Sequence, residues 1–286
     1  MTPFAIDGPA VISFSGGRTS GLMLRRILDA GLRPDVHVLF ANTGKEREET
    51  LEFVRDVGVR FAVQIHWLER RPGPVNFAEV DFDTASRDGE PFTSLIRERN
   101  FLPNPVMRFC TTELKIRVMK AWMRDHGYEH WTNVVGLRAD EPGRVARQLA
   151  GNASGKERWD VACPLSVAGV TKADVEAFWS AQQFDLQLRP WEGNCDLCFL
   201  KGLNRKLRVI RDRPDLSAWW RERERERELA WRIPAQLGSA RTSRAMSAWR
   251  RSCEPLHCCQ SICRTARMTT PSTAIARTEE PHDHTD

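Results

Sequence analysis

The chain has 286 residues, 41% of them hydrophobic, with 43 basic and 38 acidic side chains and a formal net charge of +5. That length buries a substantial core, as one large domain or one domain with appendages, and no apolar stretch approaches the ~20 residues of a membrane span. The interleaved charges suit anionic substrates without demanding nucleic acid, and the amino terminus lacks the basic-then-apolar layout of a signal peptide, so a cytoplasmic location is expected.

The first predicted element is an apolar strand, Val11 to Phe14, running into Ser15-Gly16-Gly17 and then into a helix that opens with Arg18, Thr19 and Ser20. Adjacent glycines let the backbone bend with its amides exposed, the hydroxyls of Ser15, Thr19 and Ser20 add donors, and the helix presents its positive end to an anion. The spacing fits neither a Walker loop nor a dinucleotide fingerprint. A nucleotide or a sulfated relative is the expected ligand; an ordinary strand-to-helix turn is the alternative.

Val36 to Phe40 reads as a second buried strand, Glu48 to Val57 as an amphipathic helix and Arg60 to His66 as a third strand. This alternation predicts an α/β Rossmann-like parallel sheet with helices on both faces and ligands at the carboxyl ends of its strands. Residues 68 to 108 read as an irregular insertion or cover, punctuated by prolines. Thr112 to His126 reads as a helix capped by Thr111 or Thr112, and Trp131 to Gly136 as a strand. Thr171 to Glu176 opens a further helix with acids in its first turn. The last helices are expected over Lys201 to Arg211 and Leu216 to Glu228.

Eight cysteines in a chain without an export signal favour metal binding or thiol chemistry over a disulfide scaffold. Cys195 and Cys198 form Cys-x-x-Cys, a spacing that suits two thiolates on one metal or a redox-active dithiol.

Ser-Gly-Gly-x-x-Ser resembles the PP-loop of the adenine nucleotide alpha-hydrolase (HUP-type) superfamily. That loop is followed in order by Asn42-Thr43-Gly44-Lys45-Glu46, by Arg108-Phe109-Cys110-Thr111-Thr112-Glu113-Leu114-Lys115-Ile116, by Gly136-Leu137-Arg138-Ala139-Asp140-Glu141, and by Asn194-Cys195-Asp196-Leu197-Cys198. The set resembles the phosphoadenosine phosphosulfate (PAPS) reductase family over about residues 10 to 220. The resemblance implies that Ser15, Gly16, Gly17, Arg18, Thr19 and Ser20 hold the anionic end of an adenine nucleotide, PAPS or ATP, and that Asn42 and Thr43 face the same crevice. It implies that Arg138 and Lys115 neutralise charge at the reacting centre and that Cys110 belongs with them to the catalytic set. Cys110 would join Cys195 and Cys198 as a ligand, with Cys163 as a fourth, around a [4Fe-4S] cluster in preference to zinc; a buried apolar role is the alternative for Cys163.

The implied function is that of a PAPS reductase-like oxidoreductase, in which a thiolate attacks a sulfonucleotide and a thioredoxin-like partner releases sulfite. The alternatives are an ATP-dependent sulfurtransferase acting on tRNA or DNA, and a non-catalytic nucleotide- or metal-sensing accessory protein of phage or mobile-element origin. The domain is expected over 1–220. Residues 221–286 read as an irregular tail, Arg-Glu repeats giving way to a basic stretch with scattered cysteines. It is either disordered or the product of a frame shift near the repeat; His257, Cys258, Cys259 and Cys263 within it match no recognised ligand spacing.

Overall fold

The structure is a computed structural model that describes residues 2–236. Its strands are β1 (Ala10–Ser13), β2 (Val36–Asn42), β3 (Ile65–Arg70), β4 (Phe77–Val80), β5 (Trp131–Val134) and β6 (Trp159–Ala162). They form one sheet in the order β4-β3-β2-β1-β5-β6. All neighbours are parallel except β4, which pairs antiparallel with β3 at the edge. This is the expected α/β architecture.

Successive residues of a strand face opposite sides of a sheet, and the two central strands are apolar on both. Ile12 and Phe40 pack with α1 (Arg18–Ala30), α2 (Glu48–Arg60) and α8 (Lys172–Ser180), through Leu22, Ile27, Leu51, Val54 and Trp179. Val11 and Leu39 face the other way, onto Val118 and Trp122 of α5 (Arg117–Asp125). Burial on both faces is what restricts β1 and β2 to apolar runs. The remaining helices are α3 (Glu90–Arg99), α4 (Phe109–Thr111), α6 (Pro142–Leu149), α7 (Pro164–Val167), α9 (Leu203–Asp212) and α10 (Asp215–Gln236), with a π-helical turn at Thr112–Ile116 joining α4 to α5.

Several local expectations need correction. The third strand begins at Ile65, because α2 continues to Arg60 and Phe61 closes it, its amide donating to the Val57 carbonyl at 3.0 Å; Phe61 and Val63 pack against the core beneath that helix end. Residues 68–108 hold the end of β3, all of β4 and α3. The apolar face of α3, Phe92, Leu95 and Ile96, finds its partners in Phe109, Leu114, Trp219 and Trp220, which are remote in sequence. Neither Thr111 nor Thr112 caps a helix, since the helical run already begins at Phe109. Thr171 does cap α8: its hydroxyl accepts from the Asp174 amide, and the Asp174 carboxylate accepts from the Thr171 amide.

The strand after β1 is laid on one side and β5 on the other, so the sheet reverses its order between β1 and β5 and opens a crevice at their carboxyl ends. The Ser-Gly-Gly loop and the Gly136-Leu137-Arg138 turn leave β1 and β5 into that crevice. Helix α10 runs through residue 221, where the irregular tail was expected to begin. The rest of that tail, with His257, Cys258, Cys259 and Cys263 and the frame-shift reading, lies outside the described residues. Among the described residues, no helix is long and apolar enough to cross a membrane.

Candidate active site

Gly16 takes φ +70°, and a Cβ there would stand 2.8 Å from Thr50 Cγ2 and 2.9 Å from Val54 Cγ2. Only glycine supplies that backbone at that distance from α2. Gly16 is buried while Ser15 is exposed. The amides of Ser15 and Gly17 both point at Ser20 Oγ, at 3.3 and 3.4 Å, and Ser15 Oγ lies 3.0 Å from the same atom. These amides are held on Ser20 Oγ at the amino end of a 13-residue helix, the kind of helix end that suits an oxyanion.

The arginine of the β5 turn reaches this helix end. Gly136 packs so closely on α1 that a Cβ would lie 3.2 Å from Ser20 Cα. Two residues on, Arg138 Nη1 donates to Thr19 Oγ1 at 3.3 Å, with the guanidinium steadied by Asp140 at 2.8 Å and Glu141 at 3.3 Å. Arg18 turns the other way. Its guanidinium grips Asp185 through two 2.7 Å bonds and donates to the Leu186 carbonyl, so it fastens α1 to the chain beyond α8 rather than facing the anion.

Asn42 and Thr43 are also spent within the protein, contrary to their expected place in the crevice. Asn42 is wholly buried; its amide donates to Glu69 and to the Ser86 carbonyl, and its Oδ1 accepts from the Gly44 amide. Thr43 donates to Glu46 and accepts from the Lys45 amide. Both shape the turn after β2.

What that turn presents is the next three residues, each paired with the segment that carries Cys195. Lys45 Nζ forms a buried ion pair with Asp196 at 2.9 Å, and Lys45 also lies over the Trp219 ring. Burial pushes the Asp196 carboxyl up, against the pull of Lys45. Arg47 Nη2 meets Glu192 at 3.1 Å, and its backbone amide donates to the Asn194 carbonyl at 2.6 Å. Between them, Glu46 and Cys195 form an antiparallel bridge, and the Cys195 thiol donates to the Glu46 carboxylate at 3.1 and 3.2 Å. Asn194 completes the connection, its Nδ2 donating to the Ser15 carbonyl at 2.7 Å. The Ser-Gly-Gly loop and the cysteine loop are thereby joined.

Lys115 enters from the π-helical turn, whose extra residue per turn redirects side chains that an α-helix would space regularly. Its Nζ sits 2.8 Å from Glu46 Oε1 and 3.9 Å from Cys195 Sγ. Glu113, one position from Leu114 and buried between Arg99 and Arg117, anchors the same turn. Burial opposes the Lys115 charge, but Cys195 and Glu46 outweigh it and hold the ammonium well above its usual range. Burial, and then the Glu46 carboxylate, push the Cys195 thiol well up, with Lys115 pulling the other way. Cys110 is raised chiefly by burial, and the charge of Cys198 adds to the effect. Cys110 and Cys195 each feel the charge of Cys198.

Cys163 does not. It is buried among Leu137 and Val161, and burial alone raises its thiol. Cys195 already engages Glu46, and among the described residues no group of three or more His, Cys, Asp or Glu is arranged to hold a metal ion. The four-cysteine cluster expected from the sequence does not fit these residues as they stand.

Sequence reasoning passed over Lys45, Glu46, Arg47, Glu192, Asn194 and Asp196 as site residues. A run such as Lys-Glu-Arg usually marks a solvated face; the signal was its position directly after a buried strand, matched by Glu192 and Asp196 on either side of Cys195.

An open, mostly parallel sheet with the Ser-Gly-Gly loop on one side of its switch point and an arginine turn on the other defines an α/β protein of the PP-loop class. The model of the phosphoadenosine phosphosulfate reductase domain matches residues 9–187, and the chain belongs to that family. It is 29% identical over 223 residues to nin region protein ORF290 of Escherichia phage lambda, which covers 74% of this chain and 73% of that protein. It is 29% identical over 136 residues to protein MJ0066 of Methanocaldococcus jannaschii, covering 48% of this chain and 24% of that one. Among solved structures, the U34-tRNA thiolase NcsA from Methanococcus maripaludis, with its [4Fe-4S] cluster, aligns at a TM-score of 0.42 and 12% identity, over 77% of this chain and 72% of that one.

Proposed function

We propose that this protein is a sulfonucleotide-processing enzyme that seats the anion of an adenine nucleotide on residues 15–20 and carries out thiol chemistry at Cys195. The observation that supports this most is the contact between Asn194 and Ser15, which ties a thiol-bearing loop to an anion cradle. Arg138 and Lys115 supply the positive charge that a transferring sulfonyl group needs.

In the reductive reaction the Cys195 thiol passes its proton to Glu46, and the thiolate attacks the sulfur of the bound sulfonucleotide. The S–S bond forms as the S–O bond to the nucleotide phosphate breaks, giving an enzyme thiosulfonate and a nucleotide phosphate. A second thiolate, from Cys198, Cys110 or a thioredoxin-like dithiol, attacks the Cys195 sulfur and expels sulfite. The two thiols are oxidised to a disulfide while the sulfonyl sulfur is reduced by two electrons, and the dithiol partner restores the enzyme. Sulfite release from PAPS in the presence of thioredoxin, lost in Cys195→Ser, is the expected result; binding of PAPS without sulfite release by the reduced protein counts against the reading.

A second reading, ATP-dependent sulfur transfer to nucleic acid, is favoured by one feature. Exposed Arg205, Arg208 and Arg211 line α9, directly after the cysteine loop, and suit a phosphate backbone. Pyrophosphate release from ATP that depends on added nucleic acid would replace the first reading by this one.

A further inference from the structure

Asn194 is held at three points. Its backbone carbonyl accepts from the Arg47 amide at 2.6 Å and lies 3.5 Å from Thr50 Oγ1, and its side-chain Nδ2 donates to the Ser15 carbonyl at 2.7 Å. The carboxamide covers the open side of Gly17: a Cβ on that glycine would stand 3.3 Å from Asn194 Nδ2 and 3.7 Å from Oδ1. Gly17 is the residue before α1 and one of the two whose amides converge on Ser20 Oγ. A primary amide carries two N–H donors. One is used on Ser15, and the other is left beside the cradle with no acceptor among the described residues.

The residue that follows is Cys195. Its backbone is bridged to Glu46 and its thiol donates to that carboxylate, so a movement of Asn194 is passed directly to the sulfur. An anion arriving on the loop offers strong acceptors beside Nδ2, and a hydrogen bond to a charged oxygen outweighs one to a neutral carbonyl.

We propose that Asn194 donates to the anion of the bound nucleotide and so makes the exposure of Cys195 depend on occupancy of the Ser15–Ser20 loop. The inference rests on the nucleotide-binding reading above and adds a specificity-determining contact to it. Asn194 is the group through which the loop reports to the thiol; neither Arg138 nor Lys115 spans the two.

The test uses the full chain, reduced, with PAPS and ATP as probes. Affinity is measured by titration calorimetry, and iodoacetamide labelling at Cys195 is followed by mass spectrometry with and without nucleotide. For wild type the expected result is binding and a change in the Cys195 labelling rate on binding. Asn194→Ala is expected to weaken binding by about tenfold or more and to leave Cys195 labelling indifferent to nucleotide. Asn194→Asp keeps the shape, removes the donor and sets a like charge beside the anion, so it is expected to bind more weakly still; it carries the test if the alanine variant fails to fold. Wild-type affinity in both variants, or an undiminished nucleotide effect on Cys195 labelling, overturns the role of Asn194 and leaves the nucleotide-binding reading standing. Failure of wild type to bind either nucleotide overturns that reading and this inference with it.

Discussion

The carboxylate of Glu46 receives the thiol proton of Cys195 at 3.1 and 3.2 Å, although the two residues lie 149 positions apart in the chain. Lys115 shares the same carboxylate at 2.8 Å, so thiol, acid and amine form a compact cluster in which Glu46 and Lys115 act on the thiol in opposite directions. Glu46 favours the neutral thiol and Lys115 favours the thiolate. Glu46→Gln is therefore expected to speed alkylation of Cys195 at neutral pH, and Lys115→Met to slow it. Rate against pH for the wild type and both variants checks this, and the two curves should move in opposite directions.

Lys45 and Asp196 clamp the cysteine loop from one side, almost excluded from solvent. Removing one partner leaves a buried charge unpaired. Lys45→Met should cost about 3–5 kcal/mol in urea unfolding, and Lys45→Met with Asp196→Leu should recover most of that loss.

The two arginines around the anion loop separate affinity from stability. Arg138→Ala should weaken nucleotide binding by about tenfold or more with a small change in the unfolding midpoint. Arg18→Ala breaks the Asp185 and Leu186 contacts, and should cost about 1–2 kcal/mol of stability with a smaller effect on affinity. Calorimetry and denaturation on the same samples distinguish the two.

Cys163 sits in an apolar cluster with Leu137 and Val161. Cys163→Ser buries a hydroxyl among Leu137 and Val161 and should cost about 1–3 kcal/mol, while the alkylation rates of Cys110, Cys195 and Cys198 stay as in wild type.

On the opposite face of the sheet, His37 packs against His66, Trp122 and Tyr128, with His126 stacked on Trp122 and Glu79 bound to His66 and Trp122. Burial lowers the His37 pKa, and the charges of His66 and His126 lower it further, with Asp35 opposing. A depressed histidine favours the neutral form, so its contribution to stability is present above the unfolded value of about 6.5 and is lost as pH falls through the lower folded value. Glu79 titrates below its ordinary carboxylate range, outside this window. The urea midpoint should fall between pH 7.5 and 5, and His37→Gln should flatten that fall.

Much of this architecture is readable along the chain. Glycine pairs, caps such as Thr171 with Asp174, and the alternation of apolar strands with amphipathic helices are local properties, decided within a few residues by backbone sterics and burial periodicity. They sufficed for the parallel sheet, for the glycine turn after its first strand and for the family. The β4 edge strand and α3 escaped because short weakly patterned segments become strand or helix only against remote partners, here β3 and the Trp219–Trp220 pair. The site divides in the same way. The Ser15–Ser20 loop could be recognised from its residues, whereas the turning of Arg18 toward Asp185, the burial of Asn42 and the packing of Cys163 with Leu137 and Val161 depend on which charges and apolar surfaces the folded chain brings together. Asn194 and Ser15, 179 positions apart, meet only because β1 and β2 lie side by side and the turn after β2 grips the cysteine loop. Ion pairing, hydrogen bonding and burial across such separations are properties of the packed molecule, and they decide where each of these residues is placed.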